Sequence, residues 1–138
     1  MKYSAIAILA LMFVSGCGGN GSSSQPTMTG IWNFSANSQA FGSQYSGTAT
    51  IQQSGNNLTG SATLSGLPCA TQASLSGTVA GTSLNLQFNL NSELGTPAND
   101  TMNLTGTLNS AYTSASGTFT TSGNCVTGDQ GTWTATKQ

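Results

Sequence analysis

From about residue 28 to the end of the chain, apolar or small residues alternate with Ser, Thr, Asn or Gln. Successive side chains of a strand point to opposite faces, so this period of two predicts half-buried antiparallel strands. The first covers 28–36, with Gly30, Trp32, Phe34 and Ala36 in phase. The second covers 45–53 (Gly47, Ala49, Ile51) and the third 57–64 (Leu58, Gly60, Ala62, Leu64). A fourth runs over 73–80 (Ala73, Leu75, Gly77, Val79) and a fifth over 83–90 (Leu84, Leu86, Phe88, Leu90). The sixth is 101–109 (Met102, Leu104, Gly106, Leu108), the seventh 113–121 (Ala115, Gly117, Phe119) and the eighth 131–137 (Trp133, Ala135). No helical period appears beyond the N-terminal segment.

Five of these strands carry a glycine in phase with the apolar residues: Gly47, Gly60, Gly77, Gly106 and Gly117. Glycine weakens a strand, so its repetition on the inward face needs a structural use. Small inward residues let a sheet curl tightly or make room for aromatic neighbours. Eight such strands predict an all-β fold, an eight-stranded antiparallel up-and-down β-barrel, in which closure removes the unpaired edges. An open β-sandwich is the alternative. In the meander, the turns at 54–56, 81–82 and 110–112 share one end. The longer connections at 37–44, 65–72, 91–100 and 122–130 share the other.

The start of the first strand reads Thr29-Gly30-Ile31-Trp32. This is similar to the Gly-x-Trp signature of calycin barrels, the lipocalins and avidins among them. The resemblance implies that Trp32 closes the base of the barrel. The family's cationic partner on the last strand is Arg; here Lys137 lies in phase with Trp133 and Ala135. The resemblance does not reach ligand residues. Avidins place several Trp residues around biotin, and this chain has two Trp.

Residues 1–16 are different. Lys2 precedes an apolar stretch from Ala5 to Val14, too short to span a bilayer and suited to a signal-peptide core. The run Val14-Ser15-Gly16-Cys17 resembles the lipobox of bacterial lipoproteins. That resemblance implies cleavage before Cys17, a thioether to diacylglycerol and acylation of the new amine, palmitate being a typical chain. Several acyl chains make a stable anchor, at about 0.8 kcal/mol per buried CH₂. Gly18, where an Asp would retain the protein at the inner membrane, implies the outer membrane of a Gram-negative envelope. The chain therefore divides into a lipoprotein signal peptide (1–16), the lipidated Cys17 with a flexible tether (17–27) and a β-barrel domain (28–138).

The mature chain keeps one cation, Lys137, and three acids, Glu93, Asp100 and Asp129, with no Arg and no His. Phosphate binding needs clustered cations, so nucleic acid is excluded as an expected partner. The usual general base is missing too. A carboxylate pair drawn from Glu93, Asp100 and Asp129 is the one catalytic alternative, for glycoside cleavage; the expectation is a protein that is not an enzyme and carries no cofactor or metal. With Cys17 lipidated, Cys69 and Cys125 remain, and an even pair in an exported protein reads as a disulfide. The loop it closes is worth about 4 kcal/mol in the chain-entropy model. Both cysteines and all three acids fall at the long-connection end, opposite the tether.

Two functions follow. One is a small apolar or amphipathic ligand held in the barrel, with Phe34, Ile51, Leu64, Phe88, Leu90, Met102 and Phe119 as lining candidates and Phe41 and Leu67 in the mouth loops. The alternative is a filled barrel, structural or recognising a surface protein or glycan with its loops. Eight strands enclose a space just wide enough for side chains to fill. The alternative includes a protease-inhibitor-like role: the small barrels of periplasmic protease inhibitors are similar, though they act through an N-terminal segment of which residues 18–27 show no sign. The expected state is a monomer held to the membrane by its lipid, with the long-loop end facing away.

Overall fold

A computed structural model describes residues 25–92, 100–124 and 126–138. Eight strands form one sheet: β1 (Gly30–Ser38), β2 (Gln44–Ser54), β3 (Asn57–Ser65), β4 (Ala70–Ala80), β5 (Ser83–Ser92), β6 (Thr101–Leu108), β7 (Ser114–Ser122) and β8 (Gln130–Lys137). Each strand pairs antiparallel with the next, and β1 pairs with β8, so the sheet is a closed up-and-down barrel. The open sandwich is thereby set aside.

Alternation does what the pattern requires. On β1, Trp32, Phe34 and Ala36 are buried, as are Leu75 and Val79 on β4 and Leu84, Leu86, Phe88 and Leu90 on β5. The outward set is Ser, Thr, Asn and Gln on every strand, apart from Ile31 on β1 and Ala80 at the end of β4. A barrel that crosses a membrane turns an apolar band outward; this wall is built for water.

Glycine is used where strands and side chains crowd together. Gly106 and Gly117 face each other across β6 and β7. A Cβ on Gly117 would lie 1.9 Å from the Thr105 carbonyl oxygen, and one on Gly106 would lie 2.8 Å from the Trp133 indole. The pair thus opens a window over which the indole lies. Its Nε1–H donates to the carbonyls of Thr118 (3.0 Å) and Thr105 (3.2 Å). Room for an aromatic is one of the two uses expected of these glycines.

The connections depart from the expected lengths. Turns at 55–56 and 81–82 have two residues each, but 109–113 has five, the same as 39–43, and 66–69 has four. Strands β2 and β4 start earlier than the pattern suggests, at Gln44 and Ala70, the latter through a bulge between Ala70 and Gln72. Paired backbone is satisfied backbone, so ladders extend into segments whose composition reads as loop. The parity argument is unaffected: 39–43, 66–69 and 123–129 share one end of the barrel.

Candidate functional site

The lining candidates come together, and they fill the space they were expected to line. Phe34, Ile51, Leu64, Phe88, Leu90, Met102 and Phe119 are all buried in one core with Leu67 from the 66–69 loop. Phe34 on β1 and Phe88 on β5 belong to opposite walls, yet their ring centroids are 5.6 Å apart in edge-to-face contact. Tyr45 on β2 and Phe119 on β7 also meet, at 6.1 Å. Rings in contact across the axis leave little lumen. The cavity among Trp32, Phe34, Leu84, Leu86, Leu104 and Trp133 holds about 20 Å³. That is on the scale of a single water molecule, and its lining is apolar.

The base of the barrel is sealed. Met28 is buried beneath the first strand, and its carbonyl accepts the Trp32 indole N–H at 2.8 Å. The Met28 amide donates to the Gln53 side chain at 2.8 Å. Lys137 pairs with Trp32 across β1 and β8, and its Nζ donates to the Thr27 carbonyl at 2.8 Å. Its methylenes lie over Gly30, where a Cβ would meet Cε at 2.8 Å. Trp32 on β1 and Lys137 on β8 thus close the base of the barrel together.

The opposite end is built around a buried acid. Asp129 is 1% exposed, in the 123–129 connection. Its Oδ1 accepts from the Ser38 hydroxyl (2.7 Å), the Gln130 amide (2.8 Å) and the Ala40 amide (3.3 Å), and its Oδ2 accepts from the Tyr45 hydroxyl (2.7 Å). Charge-assisted bonds of this kind are about twice as strong as neutral ones. Burial, with the proton held against the Asp129 carboxylate, raises the Tyr45 pKa above the ordinary phenol value. Ser38 also accepts from the Phe41 amide at 3.0 Å. One carboxylate therefore fixes the backbone of the 39–43 loop to β2 and β8. Asp100, also buried, accepts from the Asn124 amide, and its carbonyl accepts from Leu90 at 2.9 Å. Both acids are loop ties rather than solvated groups, and Glu93 lies outside the described residues.

Above this network is a cleft of about 210 Å³ lined by Phe41, Ser43, Tyr45, Gly66, Pro68 and Val126. Phe41 is 58% exposed, one of two large apolar side chains that face water among the described residues. The other, Ile31, is on the outer wall near the base. Cys69, next to Pro68, is disulfide-bonded. Cys17 and Cys125 lie outside the described residues. Among the described residues no group of three His, Cys, Asp or Glu could hold a metal ion.

Tyr45, Ser43, Pro68 and Val126 were not singled out by the sequence. Tyr45 had a signal, since it opens the glycine pattern of β2 at inward parity. Val126 and Pro68 had only their adjacency to cysteines. No protein-family model matches the chain, and no curated protein matches it either.

Proposed function

We propose that the protein is an exported, lipid-anchored recognition module, non-catalytic, whose working surface is the long-loop rim. One observation carries this reading: the barrel interior is packed across its axis and retains about 20 Å³, whereas the rim holds a solvent-open cleft of about 210 Å³ beside an exposed aromatic. A ligand held inside the barrel, with most of its surface buried, needs a cavity of about 300 Å³ or more. Of the two functions expected from the sequence, filled-barrel recognition is the one this packing favours.

The anchor is the lipobox reading of Cys17, with display at the outer membrane. Chain direction supports the orientation: the tether enters at the sealed base, so the rim is presented away from the lipid. Cys69 in its disulfide, with Cys125 as the inferred partner, ties the 66–69 and 123–129 connections together beside the cleft. Asp100 and Asp129, buried and hydrogen-bonded, act as ties that hold the rim loops.

The test is site-specific photo-crosslinking in cells that make the full chain, with p-benzoylphenylalanine at Phe41 or at Ala111 in the base turn. The expected result is envelope adducts from position 41 and none from 111. Adducts from the base alone, or an apolar small molecule retained in native mass spectra of the purified protein, would overturn the reading. Loss of membrane association in Cys17→Ser, with the acyl mass increment, tests the anchor.

A further inference from the structure

We infer that the rim cleft binds a neutral saccharide, with the Phe41 ring as its stacking platform; this rests on rim recognition as proposed above. Four features of the cleft lead to it. The first is charge. Asp129 beneath the cleft is 1% exposed and fully engaged, Asp100 is buried, and Lys137 is at the other end of the barrel. Among the described residues no charged group opens onto the cleft, and its described lining has nothing to pair with a phosphate, an acidic glycan or a charged peptide. A ligand that presents only hydroxyl, acetamido and C–H groups loses nothing by that.

The second is the composition of the lining. Phe41 and Pro68 supply ring surface, and Ser43 supplies a hydroxyl. Gly66, at φ +90°, approaches the β2 backbone so closely that a Cβ there would lie 2.4 Å from the Gln44 carbonyl oxygen. A pyranose has the complementary make-up, with a C–H face and a hydroxyl edge. The third is scale. A stable protein interface buries about 800 Å² per partner around an apolar core with several aromatic or Arg anchors. Among its described residues the rim shows one exposed aromatic, Phe41, in small and uncharged polar surroundings.

The fourth is rigidity. An exposed aromatic on a loose loop would signify little, but the Phe41 backbone is pinned. Its amide donates to Ser38, Ser38 donates to Asp129, and the Ala40 amide donates to the same carboxylate oxygen. Ser38 N–H and the Ser43 carbonyl close the loop at 2.9 Å. A platform held in place before binding loses less freedom when a ligand arrives.

The experiment uses the full lipidated protein in nanodiscs, with isothermal titration and ¹H–¹⁵N spectra. The probes are maltohexaose, cellohexaose, chitohexaose, the acidic hexagalacturonate and an uncharged Phe-rich peptide. At least one neutral hexasaccharide is expected to give saturable shifts at Phe41, Ser43 and Gly66. Phe41→Ala should weaken it at least tenfold, Phe41→Trp should retain it, and hexagalacturonate should bind at least tenfold more weakly. No response to any of the three neutral sugars, or equal binding of the acidic one, overturns the inference. If the peptide alone binds at the cleft, the saccharide assignment falls while rim recognition stands. Shifts confined to interior positions such as Leu84 and Leu86 overturn both.

Discussion

The two ends of this barrel are closed by different physics. At the base, Met28, Trp32 and the methylenes of Lys137 form an apolar plug, and its few polar atoms bond to the Met28 and Thr27 carbonyls and to the Gln53 side chain. At the rim, the tie is one buried carboxylate that gathers donors from β1, β2, β8 and the 39–43 loop. Burying apolar surface stabilises without regard to direction. A charge-assisted network is directional and fixes geometry. The base is suited to holding a domain together on a tether, and the rim to holding a loop in one shape.

Substitutions at the two ends should therefore differ in kind. Trp32→Ala at the base should have the largest effect. It leaves a cavity in the plug and removes the indole bond to Met28, costing about 3–5 kcal/mol in urea unfolding. That is a large share of the 5–15 kcal/mol typical of a domain. Asp129→Ala at the rim should cost about 3 kcal/mol, since it leaves buried donors without their acceptor. Its distinguishing mark is local. Hydrogen exchange at Ala40 and Phe41 should accelerate, while Val79 and Leu108, bonded to the base turns, keep their protection. Equal loss of protection at both ends would erase the contrast.

Tyr45→Phe removes one arm of the network and should cost about 1.5 kcal/mol. It carries a pH signature. The Tyr45 phenol is held protonated by burial and by Asp129, so its folded pKa exceeds its unfolded one. The native state then holds a proton that the unfolded state releases above about pH 10. This stabilisation is complete below pH 10 and lost as pH rises through the folded value. Chemical denaturation between pH 8 and 11 should show a steeper decline in the wild type than in Tyr45→Phe. Phe41→Ala should be smallest, within about 0.5 kcal/mol of wild type, because an exposed ring contributes little to the fold. A large melting shift there would mean that Phe41 is a packing residue and not a platform.

The strands and the sharing of ends were legible in the sequence because both depend on local parity. Trp32, Phe34, Leu84 and Phe88 could be assigned inward from their neighbours alone. That Phe34 meets Phe88 could not, since the contact joins opposite walls through residues 54 positions apart in the chain. Whether eight strands leave a lumen is decided by such contacts. Asp129 was legible as an acid in a polar loop and not as a buried one. Nothing local distinguishes a carboxylate facing water from one facing Tyr45 and Ser38, because its partners come from strands more than 80 residues away. The early starts of β2 and β4 escaped for a related reason: Gln44 and Ala70 gain their ladder bonds from partner strands, not from their own propensity.

The central claim is that the barrel is filled and that recognition belongs to the rim. Xenon enters dry apolar cavities large enough to hold it, and it can be followed by methyl NMR of the full protein under xenon pressure. The filled barrel requires that the methyls of Ile51, Leu84, Leu86 and Leu104 show no saturable shift, with any response confined to Val126 at the cleft. Saturable shifts spread over the four interior residues would reveal a lumen and return the ligand site to the inside of the barrel.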